Sequence, residues 1–208
     1  MEIKDVLIKS LPFVGILLLI AFIGYGLLGT SNAGSSDANV KYNVGSIAPD
    51  FTLPTVEGGT FKLSDLKGKK NVLLYFQEGI MCPPCWQQQV DLEKQKVELD
   101  KMNVEIVMIT VDPPQALLKN KMQYGITSKL LYDNDLVASN LYDTLKDSMH
   151  PGERPGHIFV LVDTEGKIVW RYSAYKASID PSNHHGGSGT MYVPVSQVLS
   201  SMKTALAN

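Results

Sequence analysis

The chain has 208 residues, 44% of them hydrophobic and 19% charged, and 19 Lys and Arg against 21 Asp and Glu give a net charge of -2. This is the composition of a folded protein with room for one domain and an appendage, and it excludes a disordered or collagen-like chain. No long basic run makes nucleic acid an expected partner, and two cysteines are too few for a disulfide-stapled scaffold or a four-cysteine zinc site.

Residues 1–10 read as a short cytoplasmic amino end. Leu11 to Gly29 (LPFVGILLLIAFIGYGLLG) carries no charge and as a helix would extend roughly 28 Å, close to the hydrocarbon thickness of a bilayer. Lys4 and Lys9 precede it and the next basic residue is Lys41, so the positive-inside rule sends everything after it out of the cytoplasm. The apolar run exceeds a usual signal-peptide core, which favours an uncleaved transmembrane signal anchor. The alternative is secretion after cleavage near Ala33, where Ser31-Asn32-Ala33 supplies small residues. Residues 30–43, small and polar, have linker composition, and a single extracytoplasmic domain is expected over 44–208.

Within that domain Asn71 to Phe76 (NVLLYF), Val104 to Val111 (VEIVMITV) and Ile158 to Val162 (IFVLV) read as strands buried on both faces. Pro84 to Met102 is expected as one helix between the first two, with Trp86, Val90 and Val97 on one face and Leu92 and Leu99 opposite, which makes a right-handed crossover between parallel strands. Asp112-Pro113-Pro114 opens a second helix. Asp163 to Gly166 turns Ile158–Val162 back into Ile168–Tyr172 as a hairpin, and Val195 to Ala207 closes the chain as an amphipathic helix.

Both cysteines lie in Cys82-Pro83-Pro84-Cys85, just beyond a buried strand and at the start of a helix. With no further cysteine to complete a zinc site, a redox dithiol is the reading that remains. The helix terminus favours a thiolate, so Cys82 is the expected nucleophile and Cys85, one turn inward, the resolving thiol. Pro83 and Pro84 suit the first helical turn and remove two backbone donors from beside the sulfurs. A merely stabilising disulfide is disfavoured, because so short a loop restrains the unfolded chain little.

The opening Gly45-Ser46-Ile47-Ala48-Pro49-Asp50-Phe51-Thr52-Leu53, the segment Leu63-Ser64-Asp65-Leu66-Lys67-Gly68-Lys69, and Leu74-Tyr75-Phe76 ahead of the cysteines resemble the redoxin branch of the thioredoxin superfamily. That branch includes the alkyl hydroperoxide reductase/thiol-specific antioxidant proteins and membrane-anchored thioredoxin-like oxidoreductases. The resemblance implies an α/β thioredoxin-like fold, a mixed central sheet with helices on both faces and two extra amino-terminal strands, here preceded by one transmembrane helix. It also implies a cis-proline beside the dithiol at the start of a late strand. Pro155 is the nearest proline, while counting back from the turn puts His157 closer to that position.

The branch's peroxidases carry a Thr-Pro-x-Cys pattern. Here Cys82 stands in place of the Thr and Cys85 on the peroxidatic position. The expected activity is therefore thiol-disulfide exchange, reducing disulfides of secreted or membrane proteins with re-reduction by a membrane electron donor. A thiol peroxidase with antioxidant activity through Cys85 is the alternative, and a copper chaperone of the same fold is another. Glu78, four residues before Cys82, is a candidate to take the proton from Cys85, and His157 to stabilise a thiolate or move a proton. His184-His185 raises the copper reading, but a polar Gly/Ser-rich loop explains the pair, and packing explains Met149, Met191 and Met202. No cofactor and no resident metal are expected.

Overall fold

The computed structural model describes residues 43–179 and 191–208. The expected anchor at 11–29, the cleavage position at Ala33 and the His184-His185 pair lie outside the described residues. Among those described, no helix is long and apolar enough to cross a membrane.

A short antiparallel hairpin, β1 (Thr52–Pro54) and β2 (Thr60–Lys62), precedes a 3-10 turn over Leu63–Leu66. The main sheet follows from the apolar runs: β3 (Asn71–Phe76), β4 (Val104–Thr110), β5 (Lys129–Tyr132), β6 (Ile158–Val162) and β7 (Ile168–Ser173). Their order is β5-β4-β3-β6-β7, with β3, β4 and β5 parallel and β6 and β7 antiparallel to their neighbours. This is the mixed thioredoxin-like sheet.

Because strand side chains alternate, β3 feeds two cores. Leu73 and Tyr75 join one with Met108, Phe159 and Leu161, closed by Trp86 and Leu92 of α1 (Pro83–Glu93), Leu99 of α2 (Lys96–Lys101), Leu117 of α3 (Pro114–Tyr124) and Val198 and Met202 of α6 (Val195–Leu206). Val72, Leu74 and Phe76 join the other, closed by Phe51, Phe61 and Leu63 and by Ala138 of α4 (Val137–Leu141). A further short helix, α5 (Ala174–Ile179), follows β7 directly.

The expected single helix over Pro84 to Met102 is two helices. The chain leaves α1 at Lys94 and re-enters at Lys96, and Gln95 takes φ -92° and ψ 23° between them. Beyond the break Leu99 is buried in the same core as Leu92, while Val97, expected on the Trp86 face, is 68% exposed. The run lacks any Gly or Pro to announce the break. Three elements had no clear periodic signal in the sequence: β5, α4 and α5. The first helical turn of α4 is held by Asp133, whose carboxylate accepts from Ala138 N, Ser139 N and Ser139 Oγ.

Candidate active site

Phe76 ends β3, and the chain then turns through Gln77, Glu78, Gly79 and Ile80 before α1 begins. Gly79 is required there: its φ is +95°, and a Cβ would lie 1.6 Å from Asp112 Oδ2. The turn is fastened on every side. Asp112 Oδ2 accepts from Ile80 N, Arg154 Nη1 donates to Glu78 O and to Asp112 Oδ1, and the Trp86 indole donates to Gly79 O at 2.9 Å. Asp112, Arg154 and Trp86 thus fix where α1 starts.

Cys82 is the residue capping α1, with Pro83 and Pro84 as the first two helical residues, as their fixed φ and missing N–H allow. The Cys82 carbonyl accepts from Cys85 N at 3.0 Å, closing the turn that brings the sulfurs together, and Cys82 and Cys85 form a disulfide. Cys82 keeps 4% of its surface exposed and Cys85 none. Cys82 is thus the outer sulfur of the pair and Cys85 the inner one.

On the inner side two side chains meet Cys85. Tyr75 pairs with Phe159 across β3 and β6 and stacks on it at 4.7 Å between centroids, and its hydroxyl donates to the Cys85 carbonyl at 3.0 Å. His157 immediately precedes β6, two residues from Phe159, so it projects from the same face. Its Nδ1 lies 3.6 Å from Cys85 Sγ and 3.5 Å from Tyr75 Oη. Complete burial pushes the imidazole pKa down to about 3, so the ring is neutral at physiological pH, and burial holds the Tyr75 phenol protonated well above its ordinary range. Cys85 is therefore met by neutral groups.

Of the two candidates for the position facing the dithiol, the structure brings His157 to the sulfur. Pro155 lies buried two residues earlier, and every described peptide bond is trans, so the cis-proline implied by the resemblance is absent from this site. Gly156 between them packs so closely that a Cβ would lie 1.7 Å from Asp147 O. Glu78 is buried, as a proton acceptor for Cys85 would require, but its hydrogen bonds run to Ser148 Oγ and Met149 N. They hold the loop that follows α4 against the turn. Sequence reasoning missed Tyr75, Asp112 and Arg154; Tyr75 read as one more apolar strand residue, and Asp112 as a helix start.

Reduced, the two sulfurs and His157 Nδ1 would form a soft donor set, since these atoms lie within 4.8 Å of one another. Coordination through Nδ1 would move the ring proton to Nε2, which is buried with no hydrogen-bond partner among the described residues. Metal-bound imidazoles ordinarily give that proton to a carbonyl or carboxylate, so the surroundings suit the donor set poorly. A cavity of about 150 Å³ lined by Ala48, Leu63, Val72 and Val162 lies at the opposite end of the sheet and takes no part in the dithiol site.

Residues 44–171 match the AhpC/TSA family. Among characterised relatives, peroxiredoxin Bcp of Escherichia coli (strain K12) is 31% identical over 144 residues, 68% of this chain and 89% of that protein. The thiol-disulfide oxidoreductase ResA of Bacillus subtilis (strain 168) is 31% identical over 155 residues, 74% of this chain and 78% of that protein. Peroxidoxin BcpB from Mycobacterium tuberculosis shares the fold with a TM-score of 0.61 at 18% identity, covering 77% of this chain and 96% of that one.

Proposed function

The chain belongs to the AhpC/TSA family of thioredoxin-like oxidoreductases, and within it we propose that this protein is a thiol-disulfide oxidoreductase that reduces protein disulfides through Cys82 and Cys85. The carrying observation is the division of the pair: Cys82 stands at the N-terminus of a helix and keeps 4% of its surface exposed, whereas Cys85 is fully buried against neutral Tyr75 and His157.

The geometry supports the following sequence. The Cys82 thiolate attacks one sulfur of a client disulfide, the other client sulfur leaves as a thiolate and takes a proton, and a mixed disulfide joins Cys82 to the client. Cys85, as thiolate, then attacks Cys82 Sγ. The mixed disulfide breaks, the second client sulfur leaves, and the Cys82–Cys85 disulfide forms. Two electrons pass to the client, and two external thiols must return them. A membrane electron donor in that role, and tethering by 11–29 with the domain outside the cytoplasm, belong to the same proposal and rest on the charge asymmetry around that apolar segment.

Peroxide reduction by Cys85 has support of its own, since the E. coli relative is a peroxiredoxin and Cys85 falls on the peroxidatic position of the Thr-Pro-x-Cys pattern. Against it stand the replacement of that Thr by Cys82 and the complete burial of Cys85. The test is a pair of variants. Cys85→Ser should accumulate mixed disulfides at Cys82 with a disulfide-bonded peptide, and Cys82→Ser should form none. Mixed disulfides trapped at Cys85 in Cys82→Ser would reverse the roles.

A further inference from the structure

Three polar hydrogens decide the chemistry around Cys85, and two of their positions follow from geometry. Tyr75 carries a single hydroxyl proton. It points at the Cys85 carbonyl, 3.0 Å away, so the phenolic oxygen offers only lone pairs to its other neighbour, His157 Nδ1 at 3.5 Å. The second neighbour of Nδ1 is Cys85 Sγ at 3.6 Å, which in the disulfide has no proton to give. An unprotonated Nδ1 would face two electron-rich atoms without a donor between them, while Nε2–H would be an orphan in a buried pocket. A proton on Nδ1 serves both acceptors and leaves at Nε2 only a bare lone pair.

We infer that Tyr75 is a positioning residue that fixes His157 in the Nδ1–H tautomer, so that His157 acts on Cys85 as a hydrogen-bond donor to its sulfur rather than as a base that removes its proton. The inference rests on the oxidoreductase reading for its catalytic meaning. When an external thiolate attacks Cys82 Sγ, the disulfide electron pair departs on Cys85 Sγ, directly in front of the Nδ1–H. When Cys85 resolves a mixed disulfide, the same donor holds it as the attacking thiolate. The donor is a neutral imidazole, so it remains in place across the physiological range. The proton of the reduced Cys85 thiol must then leave to solvent or another base, because the nearest ring nitrogen is already occupied.

The tautomer is directly observable in the full-length oxidised protein labelled with ¹⁵N-histidine. Couplings from the ring carbons' hydrogens identify which nitrogen carries the proton, and a His157→Asn sample assigns the signal among the four histidines. The expected result is Nδ1–H for His157; Nε2–H would overturn the inference while leaving any mixed disulfide trapped at Cys82 untouched. A second measurement follows the thiolate absorbance of Cys85 in reduced Cys82→Ser. Adding Tyr75→Phe should raise the Cys85 pKa by about one unit, a tenfold loss of thiolate below that pKa, because Nδ1 becomes free to accept from the thiol. Adding His157→Ala should raise it similarly, and the two together should do no more than either alone. Unchanged titration in the Tyr75→Phe protein, or strictly additive shifts, would refute the coupling. Should Tyr75→Phe fail to fold, the tautomer of the unmodified protein decides the matter.

Discussion

Burying His157 as a neutral ring makes the native state acid-sensitive in a calculable way. In the unfolded chain the imidazole titrates near 6.5, and in the fold near 3, so between those values the unfolded state binds a proton that the folded state refuses. A folded pKa below the unfolded one means that this contribution is fully present above about pH 6.5 and is lost as pH falls towards 3. The slope is about 1.4 kcal/mol per pH unit, and integration from pH 7 to pH 4 gives a loss of about 3 kcal/mol from this one side chain. Carboxylates held by ion pairs also destabilise the fold in acid, so the informative quantity is a difference. Urea unfolding of the oxidised protein at intervals between pH 7 and pH 4 should show a stability decline shallower for His157→Asn than for the unmodified chain, by close to one proton through the middle of the range. Parallel curves would refute the reasoning, because they would mean that His157 can accept a proton in the fold.

Further outcomes follow from the packing and from the dithiol. Gly79→Ala and Gly156→Ala each drive a Cβ to under 2 Å from an oxygen of Asp112 or Asp147 and should destabilise by more than about 3 kcal/mol in urea unfolding. Gly166→Ala, whose φ of +84° is strained but whose Cβ meets only the flexible Lys67 chain at 3.6 Å, should lose only about 1 kcal/mol. Arg154→Ala leaves the buried Asp112 carboxylate with Ile80 N as its remaining partner. It should lose about 2–4 kcal/mol by the same assay, because Arg154 Nη1 is the donor that joins Glu78 O to Asp112. In the reduced protein, limited alkylation followed by peptide mapping should find Cys82 modified before Cys85, and the reverse order would remove Cys82 from the nucleophile's role.

The strands carrying the site were legible because they are continuous apolar runs, and the dithiol because both cysteines occupy one strand-to-helix junction. What stayed hidden depends on partners distant in sequence. Asp112 could be read as a helix start but not as the clamp of a turn thirty-odd residues earlier, since only folding brings Arg154 to it. Tyr75 sits in a strand where any large apolar residue would satisfy the pattern; its hydroxyl matters because the pairing of β3 with β6 sets Phe159 beside it and His157 one step on towards the sulfur. The break between α1 and α2 leaves no mark of composition. Beyond it α2 keeps Leu99 in the core, and the chain makes the break without a Gly or Pro. Pro155 and His157, by contrast, both lay within reach of a count back from the turn after β6, and it is the fold that sets His157 against the sulfur.

The most direct test of the account offers the reduced, unmodified protein equal micromolar concentrations of hydrogen peroxide and a disulfide-bonded peptide, quenches the mixture in acid, and determines which oxidant has been consumed. Disulfide exchange through Cys82 predicts peptide thiols appearing in proportion to the protein's Cys82–Cys85 disulfide, with the peroxide largely untouched. Peroxide consumed first, with the Cys82–Cys85 disulfide formed and the peptide still oxidised, would contradict it.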